Sequence, residues 1–582
     1  MEPKITLNRI IEKFKLLSKN KLFWAFILNF IFFLYAFIFG KLTFETNDDR
    51  EICNILSNVY GNGQREYIVF INIIIGYCLR FFYILIPSIN WYVVISLLLN
   101  FFSLVLITYC IYKKTDLYLG SLIDVAILII FYQESYVSFQ FTKNAFLYLT
   151  AGLLVIVSAY QDWKQKKVFL AIGSIFMIVG SLFRFQCFEG IAPFIVLICL
   201  AEFFVIGKRK WSSFVPLFTT LIVTIVAILG CRGVQLYKYE NNPKWNYYRT
   251  YNEKRAELTD YNTFPYEEYE DELKEVGISL EDYVLLLKWT YADPEVYSLE
   301  TINKLVEIKN SHLTNKSFFN VTSFKEFISD IVDNCQEYIY LYVIAVLGFL
   351  VIILDIRKTY ISAIFLGGIF AEWYIYAWLE RIVFRTLYGS ILIGSIFALY
   401  YILSTSDTNL YYEFRQNVAH KLQRNMFLLS LFILILCGIP QSITMLSNKV
   451  YYEENTEYDD LLKEIAQNKD SIYLIDRPTL TNIENGYSPY KVVPKGSYEN
   501  VCILGGWIYP TPQNNTALEA FSIKNPMKAL ATKKSNIYLV DGVSPELKKE
   551  YLSHHYEENI NLKIEKESQS YTIYTFDNGS EE

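Results

Sequence analysis

Long apolar runs alternate with short polar segments through the first 446 residues of the chain. A run of about 20 apolar residues, coiled into a helix that rises about 1.5 Å per residue, is long enough to cross a hydrocarbon core of about 30 Å. The pattern therefore predicts a polytopic membrane domain with about eleven transmembrane helices. The predicted spans cover residues 22–40, 91–112, 117–133, 144–160, 168–184, 189–206, 213–231, 337–355, 360–379, 386–404 and 426–446.

Basic residues between the runs set the predicted orientation, because positively charged loops stay in the cytoplasm. The N-terminal segment 4–21 is rich in lysine and arginine, as are the loops 113–114, 164–167 and 208–210. We therefore expect a multi-pass cell-membrane protein with a cytoplasmic N-terminus and an extracytoplasmic C-terminal domain.

The apolar stretch 67–86 is interrupted by Asn72, Gly76 and Arg80. We interpret it as an interfacial or partly embedded element on the outer side, since counting it as a span would place every later basic loop on the wrong face of the membrane. The first outer loop with its interfacial helices then covers residues 41–90.

Two polar regions are predicted to lie outside the membrane. The Tyr- and Glu-rich segment 232–335 is too long for a plain connector and is predicted to be a folded lid of the membrane domain, 1–446. Residues 447–582 combine short apolar strand runs with helical patterns. The predicted fold class is an all-α polytopic membrane protein with a small C-terminal extracytoplasmic α/β domain.

Composition agrees with a membrane chain and excludes several classes of function. Of the 582 residues 53% are hydrophobic and 17% aromatic, and the net charge of -6 includes no basic arm of the kind that binds nucleic acid. The nine cysteines have no metal-ligand spacing, and the four histidines are too dispersed for a zinc site or a histidine-based triad.

An acidic pair, Asp48-Asp49, stands just outside the first predicted span. Apolar residues recur after it at i, i+3, i+4 and i+7, which predicts a short amphipathic helix on the membrane surface over 52–59. Asp at the start of such a helix can cap it by accepting backbone N–H groups. A carboxylate at this depth can equally be the acid/base group of an enzyme with a lipid-linked substrate, and both interpretations stay open.

Polar and cationic residues also collect at the outer helix ends, where the positive-inside tendency should deplete them. Each one alone is explained by interfacial snorkelling or an intramembrane ion pair. Together they predict an outer cationic pocket that suits a phosphate, because arginine binds phosphate through two parallel hydrogen bonds. The candidates are Arg80, Gln140, Lys143, Arg184, Glu380, Arg381 and Arg385.

The segment Gly505-Gly506-Trp507 follows a predicted strand in the C-terminal domain. It lacks the glycine spacing and the following helix of a dinucleotide-binding turn. We interpret it as a tight turn with a packed tryptophan rather than as a ligand site.

The overall layout resembles that of the C-type (GT-C) glycosyltransferases that use polyprenyl-phosphate sugars, such as protein mannosyltransferases and lipid A aminoarabinose transferases. The shared features are an outward first helix, an acidic motif in the first outer loop, interfacial helices after it and a large outer loop after the seventh span. The local motifs are similar to those of a group of multi-pass membrane proteins of Firmicutes. These motifs are Asn47-Asp48-Asp49, Phe70-Ile71-Asn72, Gln140-Phe141-Thr142-Lys143 and the cluster of Glu380, Arg381 and Arg385, within roughly residues 20–405.

The resemblance implies a bacterial membrane glycosyltransferase that moves a sugar, with inversion, from a polyprenyl-phosphate donor to a glycan or lipid acceptor of the cell envelope. It implies that Asp48 or Asp49 is the base, with Asp48 favoured. The family's usual Asp-Glu or Asp-x-Asp motif is Asp-Asp here, and Lys143 replaces a second-loop acid, so no cofactor is certain and a divalent cation stays open. The alternatives are a transporter or flippase of lipid-linked saccharides and a non-catalytic envelope assembly protein.

Overall fold

The computed structural model describes residues 20–204, 211–260, 263–312, 324–325, 327–329, 331, 339–354, 356–379, 382–405, 418–451, 456–532, 536–556 and 560–577. The first half of the membrane part contains α1 (Lys21–Phe39), β1 (Thr43–Phe44), α2 (Asn47–Ser57), α3 (Ile73–Leu85), α4 (Trp91–Tyr112), α5 (Leu117–Tyr136), β2 (Ser138–Phe139), α6 (Phe141–Ala159), α7 (Lys167–Phe183), α8 (Phe185–Phe204) and α9 (Val215–Glu240). The segment predicted as a lid contains α10 (Pro243–Thr259), α11 (Glu270–Glu275), α12 (Leu280–Leu287) and α13 (Leu299–His312), and the second half of the membrane part contains α14 (Ile339–Ile353), α15 (Ile356–Trp378), α16 (Phe384–Thr405) and α17 (Val418–Tyr451). The C-terminal part contains α18 (Glu457–Gln467), β3 (Ile472–Ile475), α19 (Arg477–Glu484), β4 (Val501–Ile503), α20 (Asn515–Ala520), α21 (Pro526–Ala531), β5 (Ile537–Asp541), α22 (Pro545–His555), β6 (Asn561–Glu567) and β7 (Thr572–Asp577).

Eleven apolar helices lie where the sequence predicts spans. Nine helices within the described ranges are long and apolar enough to cross a membrane. The remaining two, α7 and α14, are apolar helices of 17 and 15 residues. The all-α, polytopic membrane architecture and the small C-terminal α/β region are therefore confirmed.

Helix α6 lies at the centre of the membrane part, since 94% of its spanning window is buried inside the protein. It packs against α7 backbone to backbone. A Cβ atom added to Gly152 would lie 2.5 Å from the carbonyl oxygen of Gly173, and one added to Gly173 would lie 2.7 Å from the carbonyl oxygen of Gly152. Small residues at such a crossing let two membrane helices approach closely, which replaces the hydrophobic driving force that lipid does not provide.

Helix α3 agrees with the prediction of an element that does not span the membrane. It has 13 residues, and a helix of that length is only about 20 Å long. Phe81, Ile84 and Leu85 are more than half exposed, whereas Leu79 and Tyr83 on the other face are buried. An amphipathic helix with one bare apolar face suits the membrane interface.

Helix α2 differs from the prediction. It begins at Asn47, and its residues from Asp49 to Ser57 are buried, so it does not lie on the membrane surface. The C-terminal part covers its polar face: the Arg50 guanidinium donates to the carbonyl of Tyr487 at 2.5 Å. The 3.6-residue pattern finds the polar face correctly but cannot show that protein rather than water covers it.

The C-terminal part is a five-stranded sheet in the order β4-β3-β5-β7-β6. Strand β3 runs parallel to β4 and β5, and the β6–β7 hairpin adds to β5 antiparallel. Two short helices, α20 and α21, lie between β4 and β5 where a single longer helix does not form. Ser522 between them adopts a φ of 57°, and Pro526 starts the second helix; neither residue suits a helix interior.

Helix α10 lies in the lid segment at a position where the sequence pattern predicts no helix. Helix α10 buries Trp245, Tyr248, Tyr251, Arg255 and Leu258 along one face. Most of these buried side chains carry a polar group, so the face shows no apolar stripe in the sequence.

The buried Glu484 carboxylate contributes a pH-dependent contact between α19 and α2. Its Oε1 accepts a hydrogen bond from Asn54 Nδ2 at 3.3 Å, and its Oε2 lies 3.9 Å from a guanidinium nitrogen of Arg477. Burial raises the pKa of Glu484 from 4.5 to about 7, although Arg477 opposes the shift. The folded protein therefore holds the proton more tightly than the unfolded chain.

Replacing Gly152 by leucine is expected to lower the thermal stability of the purified protein in detergent, because the new side chain meets the backbone of α7. Overpacking typically costs about 1–3 kcal/mol. Gly230→Leu in α9 is the matched control, since a Cβ there meets nothing within 4 Å. Equal melting temperatures for the two variants would contradict the close α6–α7 packing.

The stability that Glu484 contributes should be fully present below pH 4.5, the ordinary value of a glutamate, and should be lost as the pH rises through about 7. Glu484→Gln should therefore gain melting temperature relative to the wild type between pH 5 and pH 8. The exposed Glu546→Gln, whose side chain is 74% exposed, should follow the wild type. Parallel curves for Glu484→Gln and the wild type would show that this carboxylate does not titrate on folding.

Candidate functional site

Asp48 lies in the first turn of α2 without capping it. The N-cap residue is Thr46, in an extended conformation and without a side-chain cap hydrogen bond. Asp48 Oδ1 instead accepts a hydrogen bond from the indole Nε1 of Trp507 at 2.7 Å. Its Oδ2 lies 3.5 Å from the Thr46 hydroxyl. The capping interpretation of the acidic pair is thus not the arrangement found, and the Asp48 carboxylate stays partly exposed.

Asp49 has a different environment from its neighbour. It is fully buried, and its Oδ1 accepts a hydrogen bond from the Tyr92 hydroxyl at 2.6 Å. Burial raises the pKa of Asp49 well above its ordinary value, and the hydrogen bond from Tyr92 only partly opposes this. The environment therefore favours the neutral acid at Asp49, while Asp48 keeps access to solvent.

A short parallel ladder fixes the outer loop against the start of α6. Strand β1 pairs with β2, with Thr43 opposite Ser138 and Phe44 opposite Phe139. Gln140 follows directly, and its Oε1 accepts the backbone N–H groups of Thr142 and Lys143 at 2.6 and 3.1 Å. Gln140 is thus the N-cap of α6 in this structure.

Two of the predicted phosphate ligands are already paired with carboxylates. The Lys143 side chain is 1% exposed and forms ion pairs with Glu45 and Glu134. Arg80 forms an ion pair with Glu66 at 2.8 Å. A cation held in this way has less charge to offer a phosphate, so these two residues are weaker candidates than the sequence suggested.

Arg184 lies between two aromatic rings close to the acidic pair. Its guanidinium carbon is 5.2 Å from the centre of the Phe70 ring and 5.0 Å from that of Phe141. The Phe70 ring in turn meets the Trp507 ring edge to face, with centroids 4.8 Å apart. Arg184 is therefore joined to Asp48 through Phe70 and Trp507, although these residues lie far apart in the sequence.

A cavity of about 450 Å³ opens next to Arg184, between the junction of α7 and α8, the end of α9 and helix α10. Four arginines line it, together with three carboxylates. Arg255 is bound to Asp260 at 2.5 Å, whereas the guanidinium of Arg232 donates to the amide oxygen of Gln235 at 3.1 Å. The charged lining residues are Arg184, Arg232, Arg249, Arg255, Glu253, Glu257 and Asp260.

Sequence analysis missed three of these arginines, Arg232, Arg249 and Arg255. They lie at the start of the segment predicted as a lid, where charged residues are expected on a solvated surface. A signal was present, since Arg232 follows a predicted span on the outer side, where basic residues are disfavoured.

Arg385 is the member of the third predicted cluster that the structure describes. It is half-buried, and its guanidinium and that of Arg184 are both near enough to Cys187 to act on the thiol electrostatically. Arg385 and Arg184 therefore belong to the same region of the protein. Glu380 and Arg381 lie outside the described residues.

The acidic pair does not form a chelating site. Asp48 faces Trp507 and Asp49 faces Tyr92, so their oxygens do not converge on one point. Within the described ranges, no group of three or more His, Cys, Asp and Glu side chains is placed to hold a metal ion. The donor set found here does not fit a divalent cation.

Comparison with known proteins gives a similarity of fold. No family model matches the chain, and a search of curated proteins found no significant match. Crystal structures of ArnT from Cupriavidus metallidurans are similar: the apo state has a TM-score of 0.42 at 10% sequence identity, covering 94% of this chain and 96% of ArnT. ArnT bound to undecaprenyl phosphate has a TM-score of 0.40 at 10% identity, covering 94% and 97%. At 10% identity the similarity concerns the fold alone and assigns no activity or ligand to this chain.

Proposed function

We propose that the chain is a membrane glycosyltransferase that moves a sugar from a polyprenyl-phosphate donor to a cell-envelope acceptor on the extracytoplasmic side. One observation carries this proposal: the partly exposed Asp48 carboxylate is two aromatic rings away from Arg184, which lines an arginine-rich cavity. An enzyme of this kind needs a base and a phosphate site in such proximity.

The cavity supplies the phosphate site of the proposal. Arg184 is the C-cap residue of α7, and Arg232 follows the apolar part of α9, so both lie where the headgroup of a membrane lipid would be. The leaving group is a polyprenyl phosphate, so the developing charge falls on phosphate oxygens. Guanidinium groups next to those oxygens stabilise the charge as it develops.

Asp48 supplies the base. The acceptor hydroxyl oxygen attacks the anomeric carbon as its proton passes to the Asp48 carboxylate. The bond from the anomeric carbon to the phosphate oxygen breaks, and its electron pair leaves with the polyprenyl phosphate. Attack from the face opposite the leaving group inverts the anomeric carbon.

Asp49 supports the site instead of taking part in the chemistry. As a neutral acid it can still accept the hydrogen bond from Tyr92, which joins the start of α2 to α4.

From the charge pattern we further propose that the N-terminus lies in the cytoplasm, and that the segment 232–335 and the C-terminal domain, from residue 447 onward, lie on the extracytoplasmic side.

Asp48→Asn is expected to lower sugar transfer by about 100-fold to 10,000-fold, the usual contribution of a general base. The acceptor product would first be identified by mass spectrometry as the envelope glycan that a deletion strain loses. The wild type and Asp49→Asn should restore that glycan, and Asp48→Asn should not, although the purified Asp48→Asn protein still binds undecaprenyl phosphate.

Other outcomes of this experiment would point elsewhere. Full restoration by a double Asp48→Asn, Asp49→Asn variant would remove both aspartates as bases and would favour a transporter. Loss in Asp49→Asn alone would transfer the role of base to Asp49.

Arg184→Gln and Arg232→Gln should each weaken the binding of undecaprenyl phosphate by about tenfold to 100-fold, because a hydrogen bond to a charged group contributes about 1.5–3 kcal/mol. Lys304→Gln removes a cation from an exposed face of α13 and serves as the matched control. Unchanged binding in both arginine variants would show that the phosphate lies elsewhere.

A further inference from the structure

We propose that Trp507 is a positioning residue for Asp48, so that the C-terminal domain completes the active site of the membrane domain. The inference rests on the proposed function and names a further residue for the same reaction. Two sets of contacts support it: those of the Trp507 side chain, and those that hold the backbone of Trp507.

The Trp507 side chain makes one directional contact with the candidate base. Its indole N–H donates to Asp48 Oδ1 at 2.7 Å across 459 positions of sequence. Only 4% of the residue is exposed, and its ring packs edge to face against Phe70. A buried indole N–H requires an acceptor, and a carboxylate is a strong one.

The backbone that carries Trp507 is held by the lid segment. The N–H of Gly506 donates to the carbonyl of Trp289 at 3.2 Å, and the Tyr291 hydroxyl donates to the carbonyl of Gly506 at 2.7 Å. The Tyr248 hydroxyl donates to the carbonyl of Trp507 itself at 2.7 Å. The position of the indole is thus set by hydrogen bonds from two parts of the chain.

The two glycines make this approach possible. A Cβ atom added to Gly505 would lie 1.8 Å from the carbonyl oxygen of Trp289. Gly506 adopts a φ of 66°, in the left-handed region that glycine occupies without strain. The tight turn predicted from the sequence is therefore the support of Trp507.

The two oxygens of the Asp48 carboxylate have different roles in the proposed reaction. Trp507 holds Oδ1 and thereby fixes the rotation of the Asp48 side chain. Oδ2, 3.5 Å from the Thr46 hydroxyl, is left as the oxygen that receives the proton of the acceptor hydroxyl. A base held in one orientation spends less of its time in unproductive ones, which raises the rate without changing the affinity for the donor.

The alternative is that Trp507 only packs and satisfies its own N–H. Three variants separate the two roles. Trp507→Phe keeps a ring and removes the donor, Trp507→His restores a ring N–H, and Trp211→Phe, at a tryptophan that is 64% exposed, is the matched control for the loss of an indole. Each is assayed for the initial rate of product formation in membranes, for undecaprenyl phosphate binding and for melting temperature.

Trp507→Phe should lower the rate by about tenfold to 100-fold, because it removes one hydrogen bond to a carboxylate. Its binding of undecaprenyl phosphate should stay within about twofold of the wild type. Trp507→His should recover part of that loss, and Trp211→Phe should behave as the wild type. A wild-type rate for Trp507→Phe, or equal losses in the Phe and His variants that follow their melting temperatures, would overturn the proposal.

Should Trp507 variants fail to fold, Tyr291→Phe tests the same arrangement from the lid side, since it removes one hydrogen bond to the turn. Tyr291→Phe should lower the rate by less than the tenfold to 100-fold expected of Trp507→Phe, and it should leave lipid binding unchanged. A wild-type rate would count against the proposal. A fully active double variant, Asp48→Asn with Asp49→Asn, would refute the proposed function itself. An inactive Asp48→Asn with a fully active Trp507→Phe would refute this inference alone.

Discussion

The burial of helix α2 beneath the C-terminal domain is the constraint on which the outer site depends. Arg50 and Glu51 are fully buried on this helix, and an unpaired buried charge costs several kcal/mol. The C-terminal domain supplies partners for both: the carbonyl of Tyr487 accepts from Arg50, and the guanidinium of Arg477 donates to Glu51 at 3.4 Å, beside the hydroxyl of Tyr60. The C-terminal domain therefore helps to hold the helix that carries the acidic pair in this position.

This docking has a second effect, because it brings distant residues to the acidic pair. Trp507 reaches Asp48 from the C-terminal domain, while Tyr92 of α4 holds Asp49 from the other side. Of the two neighbouring residues, Asp48 is thus partly exposed and Asp49 is buried. A difference of environment of this kind separates the roles of paired acids in many enzymes.

The sequence was sufficient to predict the membrane-spanning helices, because the length of a span follows from the thickness of the bilayer. The short helix α3, within the stretch 67–86, and the α/β character of the C-terminal part were likewise predicted. The burial of α2 could not be predicted, since periodicity identifies a polar face but not its partner. Helix α10 was missed because tyrosines and an arginine form its buried face.

The candidate site, too, could be predicted from the sequence only in part. The location of Asp48, Asp49 and Arg184 at the outer helix ends could be predicted, and the structure brings these three residues together through Phe70, Phe141 and Trp507. Sequence could not show that Lys143 is held by carboxylates: its partners lie in the first outer loop and near the end of α5. Such pairing is a property of tertiary contacts, which no local pattern records.

A structure of the full-length protein in lipid nanodiscs with undecaprenyl phosphate, obtained by electron cryomicroscopy, tests the central claim most directly. The account predicts that the phosphate lies in the cavity against Arg184 and Arg232, with the Asp48 carboxylate facing the same space. A phosphate bound at the opposite membrane face, or a cavity closed off from Asp48, would contradict it.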